Sequence, residues 1–218
     1  LFAFIPAAIG GAISIYMNIN STKSAAVHSN GNTATQVGQQ IEIILDSSKG
    51  MLEGLAIGPT ARSMDGAALR DMIIGIQQKN PQFELIFAMD RNGMQIARTS
   101  GNLANRGDRP YFKEAMKGNT FFTDAYISSF TNAPCVTIST PIKDLNGVIV
   151  GVIAADISLQ SLKGISENVK VGKNGYIEIV DNVGTVLAHP DHDKVLKKEN
   201  FSQLEYIQKA INGQTGWV

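Results

Sequence analysis

The chain has 218 residues, and its nineteen lysine and arginine residues balance nineteen aspartate and glutamate residues, so the net charge at pH 7 is zero. Nucleic-acid-binding proteins usually carry a basic stripe and membrane-surface proteins a polybasic cluster, and the sequence contains neither. Cys135 is the only cysteine. Since no CxxC or HExxH spacing occurs either, we expect no internal disulfide, no bound metal and no cofactor.

The first part of the chain is apolar. Residues 1–17 read LFAFIPAAIGGAISIYM, and the first ionisable side chain is Lys23. A membrane-spanning helix needs about 20 apolar residues, so we interpret residues 1–22 as a transmembrane helix truncated at its start. A cleaved signal peptide is the alternative, because AAIGGA supplies the small residues of a cleavage point. The cytoplasmic flank is missing, so charge does not predict the orientation.

Helical periodicity follows. Apolar side chains recur at helical spacing from about residue 33 to 57, at Val37, Ile41, Ile44, Leu45, Met51, Leu52 and Leu55. This pattern predicts a long amphipathic helix, and we assign residues 23–59 to a stalk that leaves the membrane. The stretch GPTARSMDG is predicted to be a loop. A second helix is expected over residues 68–76, and Asn80 and Pro81 end it.

After Pro81 the period of the pattern changes to that of strands. FELIFAMDRNGMQIART predicts two strands joined by a turn through Asp90 and Gly93. A short helix is expected from Arg109 to Lys117, with Pro110 in its first turn and Gly118 as its stop. Strands are predicted at about 120–127, 134–142 and 147–157, the last two joined by the hairpin signal KDLNG. One antiparallel sheet with helices packed on it is the simplest α+β interpretation.

The pattern of strand, turn and strand then occurs a second time. LQSLKGISENV predicts a connecting helix, and GYIEIVDNVGTVLAHPD parallels ELIFAMDRNGMQIARTS, since both have a strand ending in Asp, two residues, Gly and a second strand. We predict a second, incomplete module over residues 161–218. Its segment HPDHD, residues 189–193, resembles a metal cluster, but adjacent positions in a turn rarely converge on one ion, so we interpret it as a turn.

Two places in the sequence suggest a binding site. Arg109 precedes two aromatic residues, Tyr111 and Phe112; an arginine fork suits a carboxylate, and an aromatic floor excludes water. Asp156 ends the apolar run VIVGVIAA, where an unpaired charge is costly, so it needs a cation from a ligand or from the protein. Tyr126 lies on the strand predicted at about 120–127.

Each candidate also has a structural interpretation. Arg109 is alternatively a solvated residue at the start of a helix, although a cation there opposes the helix dipole. Tyr111 and Phe112 are alternatively core residues, and Tyr126 an ordinary strand tyrosine. Asp156 is alternatively the cap of a helix that begins near Leu159.

The order of these segments resembles the double Cache sensor domain of bacterial chemoreceptors. That resemblance implies a long membrane and stalk helix followed by two PAS-like antiparallel-sheet modules, with the ligand in the membrane-distal module, residues 60–160. Amino-acid-binding members carry a tyrosine, Arg-x-Trp-Tyr, a later tyrosine and a strand aspartate. Those positions correspond to Ala104, then Arg109, Tyr111 and Phe112, then Tyr126 and Asp156. Arg109 and Tyr111 thus retain the part of the motif that binds the ligand carboxylate. Phe112 and Ala104 replace two tyrosines, so two hydroxyl groups that would bind the ligand ammonium are missing.

The resemblance therefore implies a methyl-accepting chemotaxis receptor of the cell membrane, with an extracytoplasmic sensor that binds a small carboxylate or an amino acid. It also implies a homodimer that signals through a cytoplasmic region outside this sequence. A histidine kinase or a cyclic-dinucleotide enzyme is the alternative output. An extracytoplasmic hydrolase is disfavoured because no GxSxG motif or nucleophile and base pair is evident, and an adhesin would need neither Arg109 nor Asp156.

Overall fold

The computed structural model of the protein describes residues 4–128, 130–131, 133–159, 171 and 175–214, with side chains from residue 25 onward. A helix of 53 residues, α1 (Phe4–Ala56), forms the first part of the chain. The helix predicted over residues 33–57 is confirmed as its second half. No helix among the described residues is both long enough and apolar enough to cross a membrane, so the membrane segment expected at residues 1–22 is not confirmed.

Two further helices follow α1. The expected loop after Gly58 contains one short helix, α2 (Pro59–Arg62), because Pro59 supplies the backbone angle of a first helical turn. Helix α3 (Gly66–Lys79) confirms the second predicted helix. The carboxylate of Asp65 caps its start by accepting hydrogen bonds from the backbone N–H groups of Ala67 and Ala68.

Six strands form one antiparallel sheet in the order β2-β1-β6-β5-β3, with β4 also paired to β5. Their bounds are β1 (Phe83–Asp90), β2 (Gln95–Arg98), β3 (Phe121–Phe122), β4 (Tyr126–Ile127), β5 (Pro134–Lys143) and β6 (Ile149–Ser158). A short helix, α4 (Pro110–Met116), lies between β2 and β3 in the chain. The α+β class is thus confirmed, although the single strand predicted at 120–127 is divided into β3 and β4.

Helices cover both faces of this sheet. One face packs against α1 and α3 through a core that includes Leu52, Ile73 and Ile153. The other packs against α4 through a smaller cluster of eight buried residues: Leu85, Phe87, Met89, Tyr111, Phe112, Ala115, Val152 and Ala154. The central strands are buried on both sides, which explains why β6 reads as a nearly continuous apolar run.

Three hairpin turns share one hydrogen-bonding pattern. In each, Oδ1 of an aspartate accepts from the backbone N–H groups two and four residues later: Asp90, Asp144 and Asp181. The glycine three residues after each aspartate has a positive φ, between 78° and 86°, which other residues rarely adopt. The predicted Asp and Gly turns are confirmed.

Beyond residue 175 the described elements are β7 (Ile179–Val180), β8 (Val186–Ala188), α5 (His192–Leu196) and α6 (Glu205–Ile211). The connecting helix predicted after Leu159 lies outside the described residues. In HPDHD, Asp191 caps α5 by accepting from the backbone N–H of Asp193, and His189 is buried. No group of three or more possible metal ligands occurs among the described residues. The extent of this second module stays a prediction.

Candidate functional site

A cavity of about 510 Å³ opens on the α4 face of the sheet, between the start of α4 and the β3–β4 segment. It combines apolar walls with charged groups of both signs. The residues that line it are Leu85, Phe87, Gln95, Arg98, Arg106, Arg109, Pro110, Tyr111, Phe121, Thr123, Asp124, Ala125, Tyr126, Ile127, Ser128, Phe130 and Asp156. Four of the five predicted site residues therefore meet at one cavity.

Asp156 forms the acidic part of this cavity. It lies in the middle of the sheet on β6, opposite Leu85 of β1 and Thr137 of β5, and only 7% of it is exposed. Burial raises the pKa of its carboxyl group, and the hydrogen bonds from Thr137 and Tyr126 act in the opposite direction. The structure thus holds a poorly solvated acid where a cation would be stabilised.

Two hydroxyl groups orient the Asp156 carboxylate. Thr137 Oγ1 donates to Asp156 Oδ1 at 2.7 Å, and the Tyr126 hydroxyl lies 3.3 Å from the same oxygen. Tyr126 and Thr137 are themselves 2.7 Å apart. Burial and then the nearby Asp156 raise the pKa of Tyr126, so its phenol remains a donor. Within the described part of the chain, both hydrogen bonds use Oδ1, which leaves Oδ2 as an acceptor for a ligand.

Arg109 lies at the start of α4. It is the residue before the first helical turn, with extended backbone angles, and Pro110 follows at the first helical position. Its Nε is 3.7 Å from a carboxylate oxygen of Asp108, but the two side chains are 50% and 74% exposed. An ion pair this exposed is weak, so the guanidinium is available to an anion in the cavity.

Tyr111 and Phe112 differ in position although they are adjacent in sequence. Tyr111 lines the cavity, packs edge-to-face on Phe87 with 5.9 Å between ring centroids, and has a pKa raised to about 12, first by burial and then by Asp156. Phe112 is 7% exposed and packs in the hydrophobic cluster beneath α4. It is not among the residues that line the cavity, as the core interpretation of this residue predicts.

The sequence did not indicate two residues on β2, Gln95 and Arg98, that also line the cavity. Arg98 pairs with Phe87 and Gln95 with Met89, while Ile96 forms a bulge between them. Because of this bulge, two residues three positions apart face the same side, which simple strand alternation forbids. The feature of the sequence that could have indicated Arg98 is the presence of an arginine within a strand whose other residues are buried or half-buried.

Neutral groups hold the Arg98 side chain in place. Its Nε donates to the backbone oxygen of Ser100 at 2.5 Å and its Nη1 to Gln95 Oε1 at 3.3 Å, and its guanidinium carbon is 6.0 Å from the centre of the Phe130 ring. Burial lowers the pKa of Arg98, as does the nearby positive charge of Arg106.

Ala104, which occupies the first tyrosine position of the amino-acid motif, has a structural role through its backbone. Its N–H donates to Gln95 Oε1 at 3.0 Å, and its oxygen accepts from the Gln95 N–H at 3.1 Å. The segment that follows is fixed to the β1–β2 turn, since the Arg106 N–H donates to the oxygen of Gly93 at 2.7 Å. These contacts position Arg106 and Arg109 at the mouth of the cavity.

Comparisons with known proteins agree with this architecture. A family model of the Cache domain, dCache_1, matches residues 18–218. The methyl-accepting chemotaxis protein PscA of Pseudomonas syringae pv. tomato is 28% identical over 216 residues, which cover 94% of this chain and 34% of that protein. This chain therefore spans about a third of the length of that relative.

Solved structures share the fold. The ligand-binding domain of the Pseudomonas aeruginosa PAO1 amino acid chemoreceptor PctC, in complex with GABA, has a TM-score of 0.63 at 21% identity, covering 78% of this chain and 76% of that one. A domain assigned to the sensory box/GGDEF family, from Vibrio parahaemolyticus, has a TM-score of 0.73 at 16% identity, covering 89% and 86%. At these identities the likeness establishes the fold alone.

Proposed function

Because this chain belongs to the Cache domain family, we propose that it is the extracytoplasmic sensor domain of a bacterial chemoreceptor and binds an amino acid or small carboxylate in the cavity beside α4. The observation that carries this function is the presence of an available arginine, Arg109, and a buried aspartate, Asp156, in the walls of one cavity. A ligand with a carboxylate and an ammonium group complements both.

Each end of the ligand meets a different part of the cavity. Arg109 presents a planar fork of donors to the carboxylate, and the Tyr111 ring shields that contact from water. The ammonium group donates to Asp156 and to the lone pair of the Tyr126 hydroxyl. Phe112 acts from below by fixing the position of Tyr111 in the α4 cluster.

Residues 60–160 form the membrane-distal, ligand-binding module in this proposal, and residues 161–218 begin the membrane-proximal one. Residues 1–22 anchor the chain in the membrane, residues 23–59 form the stalk, and two chains associate as a homodimer. Helix α1 packs on β5 and β6, so a change at the sheet reaches the stalk directly. A ligand biases the signalling state only by its different affinity for the two arrangements, typically by about 1 to 3 kcal/mol.

A sensor of a histidine kinase or cyclic-dinucleotide enzyme is the second candidate, because the fold also matches the domain of the sensory box/GGDEF family protein. The residues downstream of position 218 distinguish the outputs. A second membrane helix followed by a long heptad-repeat coiled coil supports a chemoreceptor, whereas a histidine kinase domain or a cyclic-dinucleotide enzyme domain supports the alternative.

Thermal-shift screening and calorimetry of the 218-residue chain against amino acids and small carboxylates test the binding function. We expect a stabilising ligand whose affinity falls about 10-fold or more in Arg109→Ala and in Asp156→Asn, since each removes a charged partner. Arg70→Ala and Asp71→Asn are matched controls, because both residues are exposed on α3, on the opposite face of the sheet. If no compound binds, or the site and control variants respond alike, the proposed function is wrong.

A further inference from the structure

We propose that the cavity selects acidic amino acids, and that Arg98 on β2 binds the side-chain carboxylate while Arg109 and Asp156 bind the two α-groups. This inference rests on the proposed function and deepens it by naming the ligand class. It also assigns a specificity role to a residue that lies outside the amino-acid motif.

The charges in the cavity wall leave an excess of positive charge. Three arginines, Arg98, Arg106 and Arg109, and two aspartates, Asp124 and Asp156, line the cavity. Asp108 lies 3.7 Å from Arg109 but is not a lining residue, and solvent screens this exposed pair. Asp124 is exposed, so solvent screens its charge more than that of the buried Asp156. A neutral amino acid leaves the excess uncompensated, whereas an acidic amino acid brings one net negative charge into the cavity.

Among the described residues, no acidic side chain forms an ion pair with Arg98, although the charge of Asp156 acts on it from a greater distance. Its two hydrogen bonds go to neutral acceptors, the Ser100 carbonyl and the Gln95 amide, and in the described ranges no carboxylate lies within ion-pair distance of Arg98 or Arg106. These bonds orient the guanidinium, and neither of the two uses Nη2. Such a preoriented fork forms a strong, charge-assisted pair with a carboxylate.

The position of Arg98 fits a ligand that also reaches Asp156. Phe87 on β1 pairs with Arg98 on one side and with Ala154 on the other, and Asp156 lies two residues beyond Ala154. Arg98 and Asp156 are thus two strand spacings apart across the sheet and two residues apart along it, which places their backbones about 12 Å from each other. Both residues line the same cavity of about 510 Å³, a volume within the usual range for small-molecule sites.

The floor of that gap is apolar. Leu85 and Phe87 belong to β1, the strand between Arg98 and Asp156, and both line the cavity. Methylene groups of an aspartate or glutamate side chain contact this floor when the terminal carboxylate points to Arg98. The half-exposed ring of Phe130, whose centre is 6.0 Å from the Arg98 guanidinium carbon, adds apolar surface beside the same contact. The cavity thus has charged residues at both ends and an apolar floor between them, and this arrangement complements an acidic amino acid.

Isothermal titration calorimetry of the 218-residue chain with isosteric pairs tests the assignment: L-aspartate against L-asparagine and L-glutamate against L-glutamine. We expect the better acidic ligand to bind at least 10-fold more tightly than its amide. In Arg98→Gln this ratio should fall to within about 3-fold, because the glutamine side chain keeps a polar group but removes the charge. Arg98→Lys should retain part of the preference, and Arg70→Gln on α3 should leave it unchanged.

The ratio of the two affinities separates recognition from a merely structural role of Arg98, since a distorted cavity weakens both members of a pair alike. An amide that binds as tightly as its acid, with binding still dependent on Arg109 and Asp156, overturns the inference but leaves the proposed function intact. Equal affinity for succinate and L-aspartate overturns the requirement for the ammonium group. If no amino acid or carboxylate binds at all, the proposed function fails, and this inference fails with it.

Discussion

Thr137 Oγ1 donates a 2.7 Å hydrogen bond to Oδ1 of Asp156 directly across the β5–β6 pair. Both residues are buried, Thr137 fully and Asp156 to all but 7%. The same threonine hydroxyl lies 2.7 Å from the Tyr126 hydroxyl, so one side chain links the acid to the wall of the cavity. Removing the Thr137 hydroxyl should therefore change both the stability of the sheet and the geometry of the ligand site.

Thr137→Val should therefore weaken the domain and its ligand affinity together. The substitution keeps the shape of the side chain but removes a donor to a buried carboxylate, which we expect to cost about 1 to 3 kcal/mol of unfolding free energy. The orientation of Asp156 is lost as well, so the affinity for L-glutamate should fall several-fold. Urea denaturation measures the first effect and calorimetry the second.

Thr140→Val is the matched control for this experiment. Thr140 is on the same strand and is also buried, but its hydroxyl bonds to Thr120 on the α1 side of the sheet, at 2.9 Å. It should destabilise the domain without a direct effect on the cavity. Equal losses of affinity in the two variants would show that the Thr137 bond has no special role in binding.

The raised pKa of Asp156 predicts how stability depends on pH. Since burial makes the folded-state pKa higher than the unfolded value of about 3.9, the folded protein binds the proton more tightly. Stability from this group is fully present below the unfolded pKa and is lost as pH rises through the folded pKa. Asp156→Asn should thus be more stable than the unmodified chain at pH 7, and this advantage should shrink as pH falls toward 4.

Denaturation of both proteins at a series of pH values measures this difference, for which each pKa unit is worth about 1.4 kcal/mol. Asp71→Asn, an exposed substitution of the same kind on α3, is the control. A stability difference between Asp156→Asn and the unmodified chain that does not change with pH would contradict the raised pKa. The gain in stability should accompany the loss of ligand affinity, because the buried charge serves binding at a cost to folding.

The sequence was sufficient to predict most of the sheet and four residues of the cavity, because each depends on local patterns. Asp and Gly turns defined the hairpins, and Pro110 with Gly118 bounded α4. Phe112 shows the limit of this reasoning. Successive helical residues point about 100° apart, so Tyr111 and Phe112 cannot both face the cavity, and only packing determines which of them is turned inward.

Arg98 could not be predicted for a different reason. Its orientation depends on the bulge at Ile96, and the position of a bulge is set by pairing with β1 rather than by the residues of β2 themselves. The division of the predicted strand at 120–127 has a similar origin. The Thr123 N–H still donates to the Thr137 oxygen, but Asp124 and Ala125 leave the ladder and line the cavity.

The Asp90 turn should matter for ligand binding, whereas the similar Asp144 turn should not. Each aspartate accepts two backbone N–H groups, so replacement by alanine should cost about 1 kcal/mol or more of unfolding free energy in either turn. Among the described residues, the first turn alone is hydrogen-bonded to the segment that carries Arg106 and Arg109: the Asn105 side chain donates to the Asn92 oxygen at 3.1 Å.

Asp90→Ala should therefore reduce the affinity for L-glutamate as well as the stability, and Asp144→Ala the stability alone. Calorimetry and thermal denaturation of the two variants, compared side by side, give both quantities. The Gly93 position provides a second check, because a Cβ there would lie 2.3 Å from the Gly107 Cα, so Gly93→Ala should also move the segment and weaken binding. Unchanged affinity in Asp90→Ala and Gly93→Ala would show that this turn does not position the arginines.

Glu53 and Thr120 connect helix α1 to the residue before strand β3. Thr120 Oγ1 donates to Glu53 Oε1 of α1 at 2.7 Å. Thr120 follows α4 in the chain and directly precedes Phe121, which lines the cavity. A ligand that shifts α4 or β3 therefore acts on a hydrogen bond to α1, and we expect this bond to carry part of the effect of the ligand into α1.

Thr120→Val should leave the affinity for L-glutamate within about 3-fold of the unmodified chain but reduce the ligand-induced change in α1. Hydrogen exchange of the backbone amides in residues 44–56, with and without ligand, measures that change, because exchange reports the local opening free energy. Glu42→Ala is the control, since Glu42 is exposed on the same helix and should have no effect. A ligand-induced change in α1 as large in Thr120→Val as in the control would mean that the coupling passes through the packing of α1 on β5 and β6 instead.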